Sequence, residues 1–393
     1  MKIIKYGGQN ISQSDIDEVK KSLKNDLITT GPYVKKFEDK LRNFVECKYA
    51  LTTSSGTSAI HLSLLSLQLK KNATIIMPAV NFISSYSMSK NLGLKVYLAD
   101  VDPVTGQMTP KNVLDCVKKN SIKKLNCFIT MYLGGFVENI KGFYKIKKLF
   151  NCYWIEDACH ALGASYNFSS KVFKMGSGKH SSICTFSFHP LKTITTGEGG
   201  LLTTNNKKIY NRVLELRSHG IAKKDYWTYD IKKLSFNYRL SDLNCSLGLS
   251  QLRRIKKFIL KRKKIYKEYK KKLILKNLYD FPKYSSINHS AHHLFILNLK
   301  LENLKITKNI FLKNMLKKGI LLQQHYIPIF NYSFFSKTKK NYKKKFSNSI
   351  KYFESAVSLP IHYNLSYKNQ IKVINTINKF LKNNQKKNDF LKK

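Results

Sequence analysis

Phe186-Ser187-Phe188-His189-Pro190-Leu191-Lys192-Thr193-Ile194-Thr195-Thr196-Gly197-Glu198-Gly199-Gly200 is the stretch on which the fold turns. The apolar run 183–188 has the make-up of a buried strand, and it feeds a lysine set in a loop rich in Thr and Gly. An amine held partly desolvated near cations can act as a nucleophile toward a carbonyl. Of the 71 Lys and Arg residues only seven are Arg, so a single lysine carries no weight without its company. Working outward, apolar runs at 49–53, 74–77, 95–99, 126–131, 153–156 and 200–203 alternate with longer segments of helical period. That alternation predicts a mostly parallel sheet covered on both faces. Ligand groups should gather where the carboxyl ends of its strands turn into helices.

Two segments supply the company. Ser54-Ser55-Gly56-Thr57-Ser58-Ala59 lies between a strand ending near Thr53 and a helix starting near Thr57. A helix start offers unpaired N–H groups and the positive end of a dipole, which suits a phosphate, although the same residues also make an ordinary cap. In Ile155-Glu156-Asp157-Ala158-Cys159-His160 an apolar strand ends in acid, and Asp157 is placed to hold a cationic heterocycle or to cap the next helix. A phosphate cradle, a carboxylate for a pyridine nitrogen and an amine for an aldehyde are together the contacts that pyridoxal 5′-phosphate requires.

The composition limits the alternatives. A chain of 393 residues, 42% hydrophobic and 12% aromatic, can bury the cores of two domains and is neither disordered nor collagen-like. The 71 basic against 23 acidic residues give a net charge of +48 and invite a nucleic-acid reading. Arginine, the residue that base edges and phosphate forks recruit, is nearly absent from that excess, so specific nucleic-acid binding is not expected. Seven cysteines with no C-x-x-C pair indicate neither a disulfide framework nor a zinc site. His289, His292 and His293 are close in sequence, but strand geometry would put the last two on opposite faces, and no metal is expected. Asp100-Val101-Asp102-Pro103 reads as a turn. No segment is apolar enough to span a bilayer, which leads to the expectation of a soluble, cytoplasmic protein without membrane partners.

Beyond about Ser241 the period predicts one long amphipathic helix carrying Leu252, Ile255, Phe258, Ile259, Ile265, Tyr266 and Tyr269 on one side. It should lead into a second domain with strands at 293–299 and 320–326 and helices at 308–318 and 368–382. The charged run 337–345 reads as a solvated loop, and the tail 385–393 as a fraying end.

With these motifs, Thr30-Gly31-Pro32-Tyr33-Val34, Arg217-Ser218-His219-Gly220, Asn237-Tyr238-Arg239 and Gly248-Leu249-Ser250-Gln251-Leu252 stand in an order that resembles one family. It is the fold-type-I pyridoxal-phosphate aminotransferases acting on nucleotide-linked keto sugars. The resemblance implies an α/β, aspartate-aminotransferase-like fold. Its large coenzyme-binding domain, with a mostly parallel central sheet and an N-terminal arm, would span residues 1–250. A smaller C-terminal α+β domain would span 251–393.

By the same resemblance Lys192 is the catalytic lysine that binds the coenzyme aldehyde and moves the substrate proton, and Asp157 pairs the pyridine nitrogen. Phe82, which on its own would read as helix core, stacks on the ring, while His160 stands near its 3′ oxygen. Gly56, Thr57 and Ser187 hold the phosphate, and Asn237 reaches it from a neighbouring subunit, which implies a homodimer with shared sites. A His at position 192 would mark relatives that dehydrate sugars; lysine favours transamination.

Within the family, Thr193-Ile194-Thr195-Thr196, Lys318-Gly319-Ile320-Leu321, Gln323-Gln324-His325-Tyr326 and Ser358-Leu359-Pro360 resemble one branch most. That branch aminates C4 of a UDP-linked 4-keto-6-deoxy-N-acetylhexosamine, with glutamate converted to 2-oxoglutarate, on the route to pseudaminic acid. Its sugar-nucleotide contacts carry over to Tyr6, Thr29, Ser55, Gln323, Gln324, His325 and Tyr326. Gly56-Thr57 departs from it, since the branch is expected to have Ala before Thr. A perosamine-type aminotransferase and a non-catalytic, nucleic-acid-binding or regulatory relative are the alternative readings.

Overall fold

A computed structural model describes residues 3–338 and 344–386. Residues 339–343 of the expected solvated loop and 387–393 of the expected fraying tail lie outside the described residues.

The apolar runs become the strands of a seven-stranded sheet. They are β1 (Tyr49–Thr53), β2 (Thr74–Pro78), β3 (Lys95–Ala99), β4 (Cys127–Met131), β5 (Tyr153–Asp157), β8 (Ile183–Ser187) and β9 (Gly200–Thr204), each within a residue of its expected bounds. Their order is β1-β9-β8-β5-β4-β2-β3, and only β9 runs against its neighbours. Side chains on both faces of the central strands are apolar and fully covered, among them Phe128, Ile129, Ile155, Ile183 and Phe186. Each such side chain stabilises the fold by roughly 1.5–3 kcal/mol relative to leaving it in water.

Helices cover both faces: α1 (Gln13–Ser22), α2 (Pro32–Val45), α3 (Gly56–Ser66), α4 (Ser84–Asn91), α5 (Pro110–Lys119), α6 (Ile140–Leu149) and α7 (Lys207–Leu216). α2 buries Tyr33, Phe37, Leu41 and Val45, the i, i+4 stripe of an amphipathic helix, and Pro32 opens it, where a missing N–H costs nothing. Two hairpins that periodicity did not announce, β6 (Ser165–Phe168) with β7 (Lys171–Lys174) and β10 (Ile221–Lys223) with β11 (Tyr229–Ile231), lie outside the main sheet.

The register places the site. Thr53 pairs with Gly200, Gly200 pairs with Ser187, and Asp157 pairs with Thr185, so the carboxyl ends of β1, β8 and β5 lie side by side. Gly200 is required there, because a Cβ would stand 2.2 Å from the Ser55 carbonyl oxygen.

The expected single long helix is two, α8 (Asp242–Arg253) and α9 (Ile255–Lys272). Arg254 breaks it at φ −103°, ψ 0°, where its guanidinium is drawn to Asp15 Oδ2 at 2.5 Å and Asn10 Oδ1 at 2.8 Å. The C-terminal sheet consists of β12 (Tyr279–Asp280), β13 (Phe295–Leu299) and β14 (Ala356–Leu359), flanked by α10 (Lys308–Lys317), α11 (Ser347–Ser355) and α12 (Tyr367–Asn383). The expected strand at 320–326 is a correction. That segment makes only isolated bridges, Ile320 with Ile4 and Gln323 with Ser358, because no neighbour runs beside it for more than a residue. Asp102 does close a turn, accepting from the Val104 and Thr105 N–H groups at 3.1 and 2.7 Å. No helix among the described residues is long and apolar enough to cross a membrane.

Candidate active site

The lysine loop is built by its own hydroxyls. Thr195 Oγ1 donates to the Phe188 carbonyl at 2.9 Å and accepts from the Gly197 N–H at 2.9 Å, and Thr196 Oγ1 donates to the Glu198 carbonyl at 2.7 Å. Gly197 adopts φ +81°, a conformation that L side chains rarely take. The loop thus holds Lys192 over the ends of β5 and β8. Burial pulls its ammonium below the ordinary lysine range; Cys159 and Asp157 oppose that shift and Arg262 adds to it.

Asp157 is 3% exposed, and among the described residues hydrogen bonds reach its carboxylate only from Cys159, whose N–H lies 3.2 Å from Oδ1. Burial raises its pKa, against the lowering effects of Cys159 and Lys192. A buried carboxylate with so few partners is suited to a cationic group arriving from outside.

Beside it, Ser55 caps α3, accepting from the Ser58 N–H at 3.0 Å while Ser58 Oγ accepts from the Ser55 N–H at 2.8 Å. Gly56 opens the helix against Ser187 and Cys159, and a Cβ on it would stand 2.9 Å from Ser187 Cβ and 3.3 Å from Cys159 Sγ. Gly56, Thr57 and Ser187 therefore meet at one helix N-terminus, next to Asp157 and Lys192. This is the donor arrangement that an anionic phosphate prefers.

On the other side, His160 Nδ1 accepts from the Gly134 N–H at 3.3 Å, and its Nε2 lies 2.9 Å from Tyr326 Oη. Burial, with Lys192 and His293 as neighbours, drives the His160 pKa well below that of a free imidazole, so the ring is neutral. With Nδ1 taken as acceptor, the proton is assigned to Nε2 and donated to Tyr326. Burial drives the Tyr326 pKa well up, so its hydroxyl keeps a proton that points away from His160.

Tyr326 is held from behind by Tyr352, whose hydroxyl donates to the His325 carbonyl at 2.9 Å, while His325 Nδ1 meets Ser358 Oγ at 2.9 Å. Tyr6 packs on His325 with ring centroids 5.5 Å apart and hydrogen-bonds Gln323. Phe82 is not helix core: it precedes α4, is 52% exposed, and its ring centroid lies 6.0 Å from that of Tyr326.

These contacts, joined by the electrostatic influence of Asp157 on Tyr326 and of Lys192 on His160 and His325, bring Tyr6, Ser55, Gly56, Thr57, Phe82, Asp157, His160, Ser187, Lys192, Gln323, His325 and Tyr326 into one neighbourhood. Gln324 follows in the same segment, its N–H bonded to Gln323 Oε1 at 2.9 Å. Thr29 and Asn237 are both exposed and make no hydrogen bond to this group within the chain. Sequence reasoning missed Cys159, His293, Tyr352 and Arg262. His293, considered only as a metal ligand, lies tilted beside His160 with ring centroids 4.2 Å apart, while His292 turns toward Tyr266 at φ +48°, ahead of the strand rather than in it. Among the described residues, no group of three His, Cys, Asp or Glu could hold a metal ion.

Known proteins match this chain along nearly its whole length. The sequence pattern of the DegT/DnrJ/EryC1/StrS aminotransferase family matches residues 9–378. The UDP-4-amino-4,6-dideoxy-N-acetyl-beta-L-altrosamine transaminase of Campylobacter jejuni is 33% identical over 366 residues, covering 93% of this chain and 94% of that protein. GDP-perosamine synthase of Escherichia coli O157:H7 is 32% identical over 275 residues, 70% and 72% of the two chains. Among solved structures, Helicobacter pylori PseC, an aminotransferase involved in pseudaminic acid biosynthesis, superposes with a TM-score of 0.85 at 24% identity, covering 97% of this chain and 100% of that one. Spr1654 of Streptococcus pneumoniae, solved in a PLP form, superposes with a TM-score of 0.85 at 25% identity, covering 97% and 99%.

Proposed function

Because the chain belongs to the DegT/DnrJ/EryC1/StrS aminotransferase family, we propose that its cleft binds pyridoxal 5′-phosphate and aminates C4 of a UDP-linked 4-keto-6-deoxy-N-acetylhexosamine, with glutamate as donor. The substrate follows the C. jejuni relative, and the coenzyme follows the residues of the cleft. The observation that carries the reading is a lysine, Lys192, whose basicity burial lowers and which lies within electrostatic reach of the sparsely bonded Asp157 carboxylate, with the Gly56 helix start against Cys159, two residues on from Asp157.

The residues fit the coenzyme on its three polar sides. Gly56, Thr57 and Ser187 would hold its phosphate, Asp157 its ring nitrogen and Lys192 its aldehyde carbon, with Phe82 over the ring face. When bound, the coenzyme supplies an aldehyde that takes up the amino group and a ring that accepts an electron pair. Asp157 would pair with the ring nitrogen and favour a proton there, the cation in turn favouring the carboxylate form. Lys192, with its basicity lowered by burial, takes the proton from the donor's α-carbon and, in the second half of the cycle, places one on C4 of the sugar. Tyr326, its polarity fixed by His160, presents a hydrogen-bond donor to an oxygen in the cleft. Tyr6, Ser55 and 323–326 line the side where the sugar nucleotide would lie.

Asn237 and Thr29 enter this reading from a second copy. Asn237 follows the β10–β11 hairpin, whose tip exposes Tyr226 at 89% and Trp227 at 85%, and such aromatic surface is typical of an interface. A homodimer in which each copy completes the other's site accounts for both. We assign residues 1–250 to the coenzyme-binding domain and 251–393 to the smaller one.

Borohydride reduction of the coenzyme-loaded protein, followed by peptide mass mapping, tests the assignment of Lys192. Modification of Lys192 is expected; label on another lysine, or none, would sink it. The partial match to GDP-perosamine synthase favours a second substrate reading, a GDP-linked 4-keto sugar, which competition between the two nucleotide sugars resolves.

A further inference from the structure

β5 and β8 end at the cleft and begin at the opposite edge of the sheet. Tyr153 opens β5 and Asp157 closes it, so the two residues stand about 13 Å apart along the strand. Two cavities meet at Tyr153. One, of about 570 Å³, lies between the end of α6 and the approach to β8 and is lined by Lys147, Asn151, Lys179 and Ser182. The other, of about 420 Å³, lies at the approaches to β2 and β4 and is lined by Lys70, Lys71, Lys124 and Asn126. Each has the size of a small-molecule site.

Lys147 stands out from the lysine background of the chain. It is half-buried, and its ammonium donates to the His180 carbonyl at 2.9 Å. His180 is itself fixed: its ring lies among those of Tyr144, Tyr166, Phe168 and Phe173, with centroids 3.8 to 5.7 Å away, and its Nδ1 meets Tyr166 Oη at 2.8 Å. One N–H of the ammonium is thereby used and the others can serve a ligand. Ser182 Oγ accepts from the Trp154 N–H at 3.2 Å and keeps its own proton to give. In the second cavity Asn126 Oδ1 accepts from the Thr74 N–H at 2.9 Å, which leaves its amide nitrogen as a donor.

Among the described residues no Asp or Glu lines either cavity, and neither Lys147 nor Lys179 takes part in a salt bridge. The acid whose charge reaches Lys147, Glu156, is buried and already bonded to Tyr132. Cations and hydroxyls held at a cavity wall without an anion suit an oxyanion with several oxygens. Tyr153, 38% exposed between the two cavities, offers a ring on which a planar base can stack.

We propose that this trough at the amino ends of β4, β5 and β8 is a second ligand site, which takes a nucleoside diphosphate with its phosphates on Lys147, Lys179 and Ser182 and its base on Tyr153. The site lies at the far edge of the sheet from Lys192, so its ligand is not a substrate of the cleft, and the inference does not depend on the aminotransferase reading. Free pyrophosphate shares the anionic chemistry and is the other source to separate.

Adenosine diphosphate is the probe, because uridine nucleotides would also enter the cleft. The coenzyme-loaded protein is titrated calorimetrically at about 0.15 M ionic strength, where attraction to exposed lysines is largely screened. ADP should bind, and an azido derivative of it should on illumination label a peptide holding Tyr153 or residues 178–182. Lys147→Gln keeps a donor for the His180 carbonyl and should weaken ADP about tenfold or more. Lys145→Gln, which removes the same charge from an exposed position on α6, should leave the affinity unchanged. Tyr153→Leu should weaken ADP about tenfold with pyrophosphate binding kept, and Tyr153→Phe should restore ADP. Absence of ADP binding, label on cleft peptides alone, or equal losses in Lys147→Gln and Lys145→Gln overturns the site. Pyrophosphate binding as tight as that of ADP, with Tyr153→Leu without effect, overturns the nucleoside assignment, and binding of single-stranded DNA with ADP inert overturns the small-molecule one.

Discussion

Tyr326 Oη and His160 Nε2 lie 2.9 Å apart, and the Gly134 N–H at His160 Nδ1 fixes which of them donates. The histidine gives its proton to the phenol, and the phenol gives its own to the cleft. Tyr326→Phe deletes that last donor together with the oxygen that accepts the His160 proton, and leaves the ring packed against Phe82. The expected result is a fall in kcat/KM for the keto sugar of about tenfold to a hundredfold, with the melting temperature within a degree or two of wild type. A Tyr326→Phe protein with unaltered kinetics would show that the phenol proton has no partner in the reaction.

Asp157 offers a second, opposite pair of effects. Its pKa is raised by burial, so the folded coenzyme-free protein holds the carboxylate less well than the unfolded chain does, and stability from this group is lost as pH rises above the normal aspartate range. Asp157→Asn should therefore leave the coenzyme-free protein at least as stable at pH 8, while lowering turnover by roughly a hundredfold or more, because the cation on the ring nitrogen loses its anion. Thermal melting of the coenzyme-free protein and steady-state assays check the two halves separately.

Glu156, the neighbour of Asp157 on β5, points to the other face of the sheet and takes a hydrogen bond from Tyr132 at 2.7 Å. Burial pushes its carboxyl up to about 7. A raised folded pKa means that the stabilising contribution is complete below the unfolded value and is lost as pH climbs to about 7. The loss amounts to roughly 3–4 kcal/mol at most, at about 1.4 kcal/mol per unit. Glu156→Gln should flatten the fall in melting temperature between pH 5 and pH 8, roughly the window of that titration. An equal slope in both proteins would place the titrating group elsewhere.

Gly56 starts α3 against Ser187 and Cys159. Since a Cβ would stand 2.9 Å from Ser187 Cβ, Gly56→Ala should displace Ser187 and weaken coenzyme retention by about tenfold, measured by absorbance titration of the coenzyme-free protein. Tighter or equal binding would mean that the helix start and Ser187 do not share the phosphate.

How legible the fold was depends on the range of the contacts that make each element. The large sheet could be read because its strands are buried on both faces and declare themselves as continuous apolar runs. The break at Arg254 could not, because it comes from Asp15 and Asn10, more than two hundred residues away. The run from Ile320 looked like a strand for the same local reason, yet its neighbours, Ile4 and Ser358, come from opposite ends of the chain. The site divides in the same way. Gly56, Asp157 and Lys192 stand in motifs whose chemistry is local, whereas His293, Tyr352 and Arg262 become site residues only through packing, and nothing around them in sequence signals it.

The central claim is C4 amination of a UDP-linked keto sugar through Lys192. The most direct measurement incubates the protein with pyridoxal phosphate, glutamate and each of two UDP-linked 4-keto-6-deoxy-N-acetyl sugars, the L-arabino and D-xylo epimers, and follows the products by mass. The account predicts amination of the L-arabino substrate, abolished in Lys192→Ala. Amination of the D-xylo epimer alone, or product formation that survives Lys192→Ala, would contradict it.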